Sequence, residues 1–151
     1  MPSSADPAHR KRTLDALAAC SATQLAEHYI GLGELPAATP VRGPEIGMVM
    51  LRGRAGGGGA PFNLGEATVT RATIKLAGGE VGHAVILGRD TEKARMVAHL
   101  DALAQRSDWA QRIEEGVVTP ALAALQAERT QEAEQAEATR VDFFTMVRGE
   151  D

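Results

Sequence analysis

Between about Thr39 and Arg89 the side chains alternate with a period of two, and the segments on either side repeat every three to four residues. Side chains alternate across a strand and recur at 3.6-residue spacing along a helix, so two changes of period define a sheet with helices before and after it. Within the run, Ile46, Met48 and Met50 alternate with Gly47, Val49 and Leu51. After a glycine-rich break, Thr68, Thr70, Ala72, Ile74 and Leu76 alternate with Val69, Arg71, Thr73 and Lys75. Gly78-Gly79 then supplies two positive-φ positions for a tight hairpin, and Val81, His83, Val85 and Leu87 form the return strand. Strands joined so closely must run antiparallel.

The first 35 residues read as two helices, with Leu14, Leu17 and Ala18 on one face and Leu25, Ala26, Tyr29 and Ile30 on another. Ser21 caps the second, and Gly31, Gly33 and Pro36 end the helical run. Beyond the strands, Asp90 or Thr91 caps a helix whose Met96, Val97, Leu100, Leu103 and Ala104 make an apolar stripe. Trp109 and Ile113 mark a short helix, and Thr119-Pro120 is a cap and first-turn signal for another beginning at Ala121. The expected class is α+β: an antiparallel sheet of meandering hairpins flanked by N-terminal and C-terminal helices, with an extended C-terminal arm. Residues 1–151 make a single domain, with 1–11 disordered and 126–151 a helical arm and docking tail.

One core is what 151 residues sustain. The core is thin, because 27 of the 66 apolar residues are alanine and aromatics are 3% of the chain. Such a chain completes its burial against another subunit. The last helix points the same way. Leu122 and Leu125 are its final large apolar residues, and Gln126 to Arg140 contains only Ala, Glu, Gln, Arg and Thr. Directly after this polar arm come Val141, Asp142, Phe143, Phe144, Thr145, Met146, Val147 and Arg148. Apolar side chains displayed there require a docking site, at roughly 1.5–3 kcal/mol per fully buried large side chain.

A net charge of −4 argues against a nucleic-acid coat or a basic membrane-surface protein. The charge is uneven: residues 42 to 89 carry six Arg and Lys against three acidic groups, and residues 90 to 139 carry five against ten. A single cysteine, Cys20, excludes an internal disulfide and any paired-cysteine metal site. His9, His28, His83 and His99 lack metal-ligand spacing, so no metal is expected. His83 reads as a core or interface histidine on an apolar strand face. With no secretory or membrane-spanning stretch, the expected location is cytoplasmic.

The glycine run Gly56 to Gly59 presents backbone N–H groups that can converge on an anion, with Arg52 and Arg54 just before it. No Gly-Lys-Ser/Thr follows, so it is not a nucleotide P-loop, and a connection between strands is the plainer reading. Arg71 and Arg89 are the other candidate anion ligands, since a guanidinium pairs two hydrogen bonds with carboxylate or phosphate. The candidate anion set is Arg71, Arg89, Gly57 and Gly58, against the alternative of structural ion pairs. Glu45, Glu66, Glu80 and Asp90 all read as surface carboxylates, and no catalytic residue emerges.

The run from Ala138 through Arg140, Val141, Asp142, Phe143, Phe144, Thr145, Met146, Val147 and Arg148 to Gly149 closely resembles the end of the G subunit (PhnG) family of the bacterial carbon-phosphorus lyase core complex. Glu45-Ile46-Gly47, Phe62, Gly65 to Arg71 and Gly82 through Asp90 resemble that family in the same order, so the likeness spans residues 12 to 149. The resemblance implies a subunit of phosphonate catabolism working with subunits H, I, J and L/K, most directly the I subunit. In that pathway subunits G, H and I, with the ATPase-like L subunit, displace adenine from ATP with an alkylphosphonate such as methylphosphonate. The product is alpha-D-ribose 1-methylphosphonate 5-triphosphate, and a separate iron-sulfur radical subunit then cleaves the carbon-phosphorus bond. The I subunit carries the nucleosidase-like chemistry. ATP, with Mg, is therefore a substrate of the complex, and no cofactor is expected on this subunit. The expected role is structural and activating, with Arg140, Asp142, Phe143, Phe144, Met146 and Arg148 binding a partner. Two alternatives stand beside it: direct contribution of triphosphate- or phosphonate-binding arginines, and a freestanding anion-binding module. Neither nucleic acid nor membrane is expected as a partner.

Overall fold

A computed structural model describes residues 6–139 of the chain. Two N-terminal helices, α1 (Pro7–Ala19) and α2 (Ala22–Gly31), precede three strands, β1 (Ala38–Arg54), β2 (Pro61–Leu76) and β3 (Val81–Leu87). Helices α3 (Thr91–Ala104), α4 (Ser107–Ile113) and α5 (Thr119–Ala138) follow. The strands form one antiparallel sheet in the order β1-β2-β3. This is the α+β meander with flanking helices that the change of period requires.

Disorder is expected over residues 1–11; of these, 7–11 belong to α1, which begins at Pro7, and 1–5 lie outside the described residues. Asp6 caps α1 by accepting from the Ala8 N–H, and proline is well suited to a first helical turn. The helix is anchored by Arg10, whose guanidinium reaches buried Asp101 of α3 through Nε (2.9 Å) and Nη2 (2.7 Å). Ser21 Oγ accepts from the Gln24 N–H, and Asp90 rather than Thr91 caps α3 by accepting from the Lys93 N–H. Lys93 Nζ donates to the Ala18 carbonyl at the end of α1, where the helix dipole favours a cation.

Thr119 does not open a separate helix at Ala121. Residues Glu114–Val118 form a π-helical turn in which the Thr119 N–H donates to the Glu114 carbonyl, so α4 runs into α5 without a break. Pro120, which has no N–H to donate, follows this turn within the first turn of α5, where a proline is tolerated.

The hairpin between β2 and β3 also differs from expectation. Only Gly79 has positive φ (+100°), because the Gly79 N–H closes on the Leu76 carbonyl and the Leu76 N–H pairs with the Glu80 carbonyl. The connection is a longer loop with one left-handed residue, not a two-residue turn needing two.

The core lies between α3 and one face of the sheet, closed by α1, α2 and α4. Its largest fully buried side chains include Leu17, Leu25, Ile86, Leu100, Leu103 and Ile113. Thr70, Ala72, Ile74 and Leu76 of β2 and Gly82, Ala84 and Ile86 of β3 face α3. The opposite alternation, His83, Val85 and Leu87, is exposed, so His83 is not a core residue. Small side chains decided the face. A Cβ on Gly82 would collide with the Ala98 carbonyl oxygen and lie 2.7 Å from the Ala102 nitrogen, so α3 seats on the glycine and not on the bulkier alternation.

Strand lengths are unequal. At ~3.3 Å per residue β3 spans roughly 23 Å, close to the ~21 Å of α3, while β1 spans about 56 Å. The far part of the β1–β2 ribbon therefore overhangs the globule.

Candidate functional site

The overhanging ribbon carries the largest apolar display of the described residues. Ile46, Met48 and Met50 pair with Thr70, Thr68 and Glu66 and so share the face on which α3 packs, but only the Thr70 end lies beneath the helix. Met48 is 61% exposed and Leu64 62%, and Met50, Leu51 and Phe62 are also exposed. Leu64 leans over the bare Cα of Gly53 across the ribbon. On the other face Val85 and Leu87 are exposed as well. Isolated exposed apolar residues are ordinary; several on one projection are the exception.

At the tip, the glycine run forms a short turn over Ala55–Gly57, with Gly56 (φ +59°) and Gly57 (φ +75°) left-handed. The Gly59 N–H closes the turn on the Ala55 carbonyl at 3.1 Å, and Arg54 Nη1 donates to the Gly59 carbonyl at 3.2 Å. These glycines are explained by the turn itself. Arg52, Gly53, Arg54, Gly57 and Pro61 line an open concavity there.

Arg71 lies elsewhere, in mid-β2 on the face opposite α3. Its Nη2 donates to the Met48 carbonyl at 3.2 Å. With Arg42, Thr73, His83 and Val85 it lines a concavity of about 110 Å³. Glu45, directly opposite Arg71, stands nine residues from Arg54, roughly 30 Å along a strand, so Arg71 and the glycine loop cannot hold one small anion together. Arg89 is exposed at the bend after β3 and outside this concavity. The four candidate residues thus occupy three places.

Sequence reasoning missed Arg42, Thr73 and His83. Pairing shifts register twice in β1, between Pro40 and Arg42 and between Arg42 and Glu45. Uninterrupted pairing would place Val41 opposite Thr73; the irregularity substitutes Arg42. The second irregularity is built around Gly43, whose φ is +72° and where a Cβ would lie 2.6 Å from the Arg71 carbonyl oxygen. Gly43-Pro44 inside an alternating run was the available signal, since proline within a strand marks an edge or a bulge.

A second polar group lies between α2 and α3. Tyr29 Oη donates to His99 Nδ1 at 2.6 Å, and His99 Nε2–H donates to the Pro36 carbonyl at 2.8 Å. Burial holds the imidazole below its usual value of 6.5 against the opposing effect of the Pro36 carbonyl, and Arg95 lowers it further. The ring is neutral with both nitrogens engaged, a structural tie between the N-terminal segment and α3. Arg95 and exposed Ile30 border the shallow concavity around it.

Cys20 is buried, which pushes its thiol up and suits inert packing. Among the described residues no group of three or more His, Cys, Asp or Glu side chains is placed to hold a metal, and no helix is long and apolar enough to cross a membrane. The expected partner-binding residues Arg140, Asp142, Phe143, Phe144, Met146 and Arg148 lie outside the described residues.

The chain is 49% identical over 144 residues to the alpha-D-ribose 1-methylphosphonate 5-triphosphate synthase subunit PhnG of Rhizobium meliloti (strain 1021), covering 95% of this chain and 92% of that protein. Residues 8–149 match the family described as phosphonate metabolism protein PhnG, and a match from the first helix to the far end of the tail places the chain in that family.

Proposed function

We propose that this chain is the docking subunit of a multi-subunit synthase that transfers the ribose triphosphate of ATP to methylphosphonate and releases adenine. Near-full-length identity of 49% to a subunit named for that synthase carries the reading. The other subunits of the complex are its partners. In this reading it has a structural and activating role, and the I subunit is the most direct neighbour. ATP and Mg are used by the assembled complex, in the cytoplasm.

The ribbon supports the reading physically. Ile46, Met48, Met50, Phe62 and Leu64 project beyond the part of the sheet that α3 covers, and among the described residues no strand pairs with the outer edge of β1. A long apolar edge strand left in water is a template for unwanted pairing, and a permanent partner removes that hazard. The tail from Val141 to Arg148 is a second docking element, with Phe143, Phe144 and Met146 buried in the partner and Arg140, Asp142 and Arg148 fixing its polar rim.

Co-purification of the tagged chain with its companion subunits, followed by assay of adenine released from ATP and methylphosphonate, tests the proposal. The expected result is a stable assembly that releases adenine only when this chain is present. Deleting residues 141–151 should lower recovery of the assembly. A complex that forms and turns over equally well without this chain would refute the reading.

A further inference from the structure

We infer that the open face of the sheet carries a binding site for a tetrahedral phosphoryl or phosphonyl oxyanion, formed by Arg42, Arg71, Thr73 and His83. These side chains come from all three strands. Register places Thr73 beside His83 on β3 and beside Arg42 on β1, with Arg71 two residues along β2 on the same face. The concavity they line holds about 110 Å³. Whole-ligand pockets run to ~300–1,000 Å³, so this one receives a single terminal group while the rest of the ligand extends over the sheet.

The chemistry is that of a phosphate clamp. A guanidinium carries five N–H donors, and here each arginine spends only part of them. Arg42 Nη2 meets Glu45 Oε1 at 2.8 Å, and Arg71 Nη2 meets the Met48 carbonyl at 3.2 Å. Thr73 Oγ1 and His83 Nδ1 are 3.1 Å apart, which holds the ring and leaves His83 Nε2 without a partner among the described residues. Two fixed positive charges, one counter-carboxylate, a hydroxyl and an imidazole make a site of net positive charge with fork-shaped donors.

The backbone is specialised to make it. The shift between Pro40 and Arg42 exchanges Val41 for Arg42 opposite Thr73, and in the second shift, between Arg42 and Glu45, the close approach of Gly43 to the Arg71 carbonyl admits no side chain. A bulge that re-aims one side chain and brings two arginines onto one face is the usual device by which a sheet builds a site.

The choice of probes, though not the site itself, rests on the proposed function, because a triphosphate and a phosphonate share this end-group chemistry. Calorimetric titration of the full chain with tripolyphosphate, methylphosphonate and inorganic phosphate tests it. One-site saturable binding of at least one probe is expected, weakened tenfold or more in Arg71→Gln and in Arg42→Gln, with circular dichroism unchanged. Arg71→Lys, which keeps the charge and loses the fork, should also weaken it. Arg129→Gln, an equal loss of charge on exposed α5, should leave it intact. Preference for tripolyphosphate identifies the nucleotide end as ligand, and preference for methylphosphonate identifies the other substrate. If Arg71→Gln does not fold, Thr73→Val and His83→Gln carry the same test. Absence of saturable binding to all three probes, or equal weakening in Arg129→Gln, would overturn the site. Because the titration uses this chain alone, failure to assemble counts against the proposed function and failure to titrate counts against this site.

Discussion

The two ends of the β1–β2 ribbon are built from similar residues and meet opposite fates. Near the hairpin, Ile74 and Leu76 are buried beneath α3 and packed with Leu100 and Leu103. Some ten residues further along the ribbon, Met48, Met50, Phe62 and Leu64 face water. The difference is one of length: α3 and β3 each cover a little over 20 Å, and the ribbon continues past both. One half of the molecule satisfies itself, and the other is shaped for something outside it. α5 repeats the contrast, since Ala121 is buried and residues 126–139 are all exposed.

If that division is right, substitutions in the packed half should unfold the chain and substitutions in the overhang should spare it. The largest effect is expected at Gly82. A methyl group there meets α3 backbone that cannot swing aside, so Gly82→Ala should cost at least about 3 kcal/mol in urea denaturation, the upper end of overpacking penalties. A loss under about 1 kcal/mol would show that α3 does not seat on the sheet as described. Asp101→Ala comes next. It strands the His83 backbone N–H and removes both hydrogen bonds to Arg10, whose guanidinium is raised chiefly by its hydrogen bond to Asp101. Hydrogen bonds to charged groups contribute ~1.5–3 kcal/mol, and the partial exposure of Arg10 places the expected loss near the lower figure.

His99 sharpens the comparison through pH. Its folded value lies below the unfolded 6.5, so near neutral pH and below the unfolded chain binds more protons than the native one. Stability should therefore fall as pH drops through about 6.5 and on through the lower folded value. His99→Gln should flatten that part of the profile in thermal melts between pH 7.5 and 5; an unchanged slope would assign the acid sensitivity elsewhere.

The smallest effect on the chain itself belongs to the ribbon. Met48→Lys with Met50→Lys should change stability by no more than about 0.5 kcal/mol, as surface substitutions do, while sharply lowering recovery of the assembled complex. Destabilisation comparable to Gly82→Ala would erase the distinction between the two halves.

Most of the element plan is readable from local chemistry. Ser21 and Asp90 are caps because their short side chains reach backbone N–H groups three residues on, and the stripe from Met96 to Ala104 is a helix face by spacing alone. Where two local signals compete, neighbours decide. Thr119-Pro120 has the chemistry of a helix start, yet the π turn before it lets the helix run through. His83, Val85 and Leu87 are the more apolar alternation of β3, yet they lie outside because Gly82, Ala84 and Ile86 let α3 come closer. The site was the least legible part. Arg71 stood out as a strand cation, but its companions Arg42, Thr73 and His83 are 29, 2 and 12 residues away in the chain and meet only through register.

Sequence alone thus determined the antiparallel meander, its flanking helices, the thin core and the family, because period, caps and ordered motifs are local or linear properties. Tertiary structure alone decided which face of β3 is buried, how far the ribbon overhangs, and that a bulge at Gly43 sets Arg42 beside Arg71. Those outcomes depend on how closely two backbones can approach and on a one-residue shift in pairing, and neither quantity is carried by any single segment of the chain.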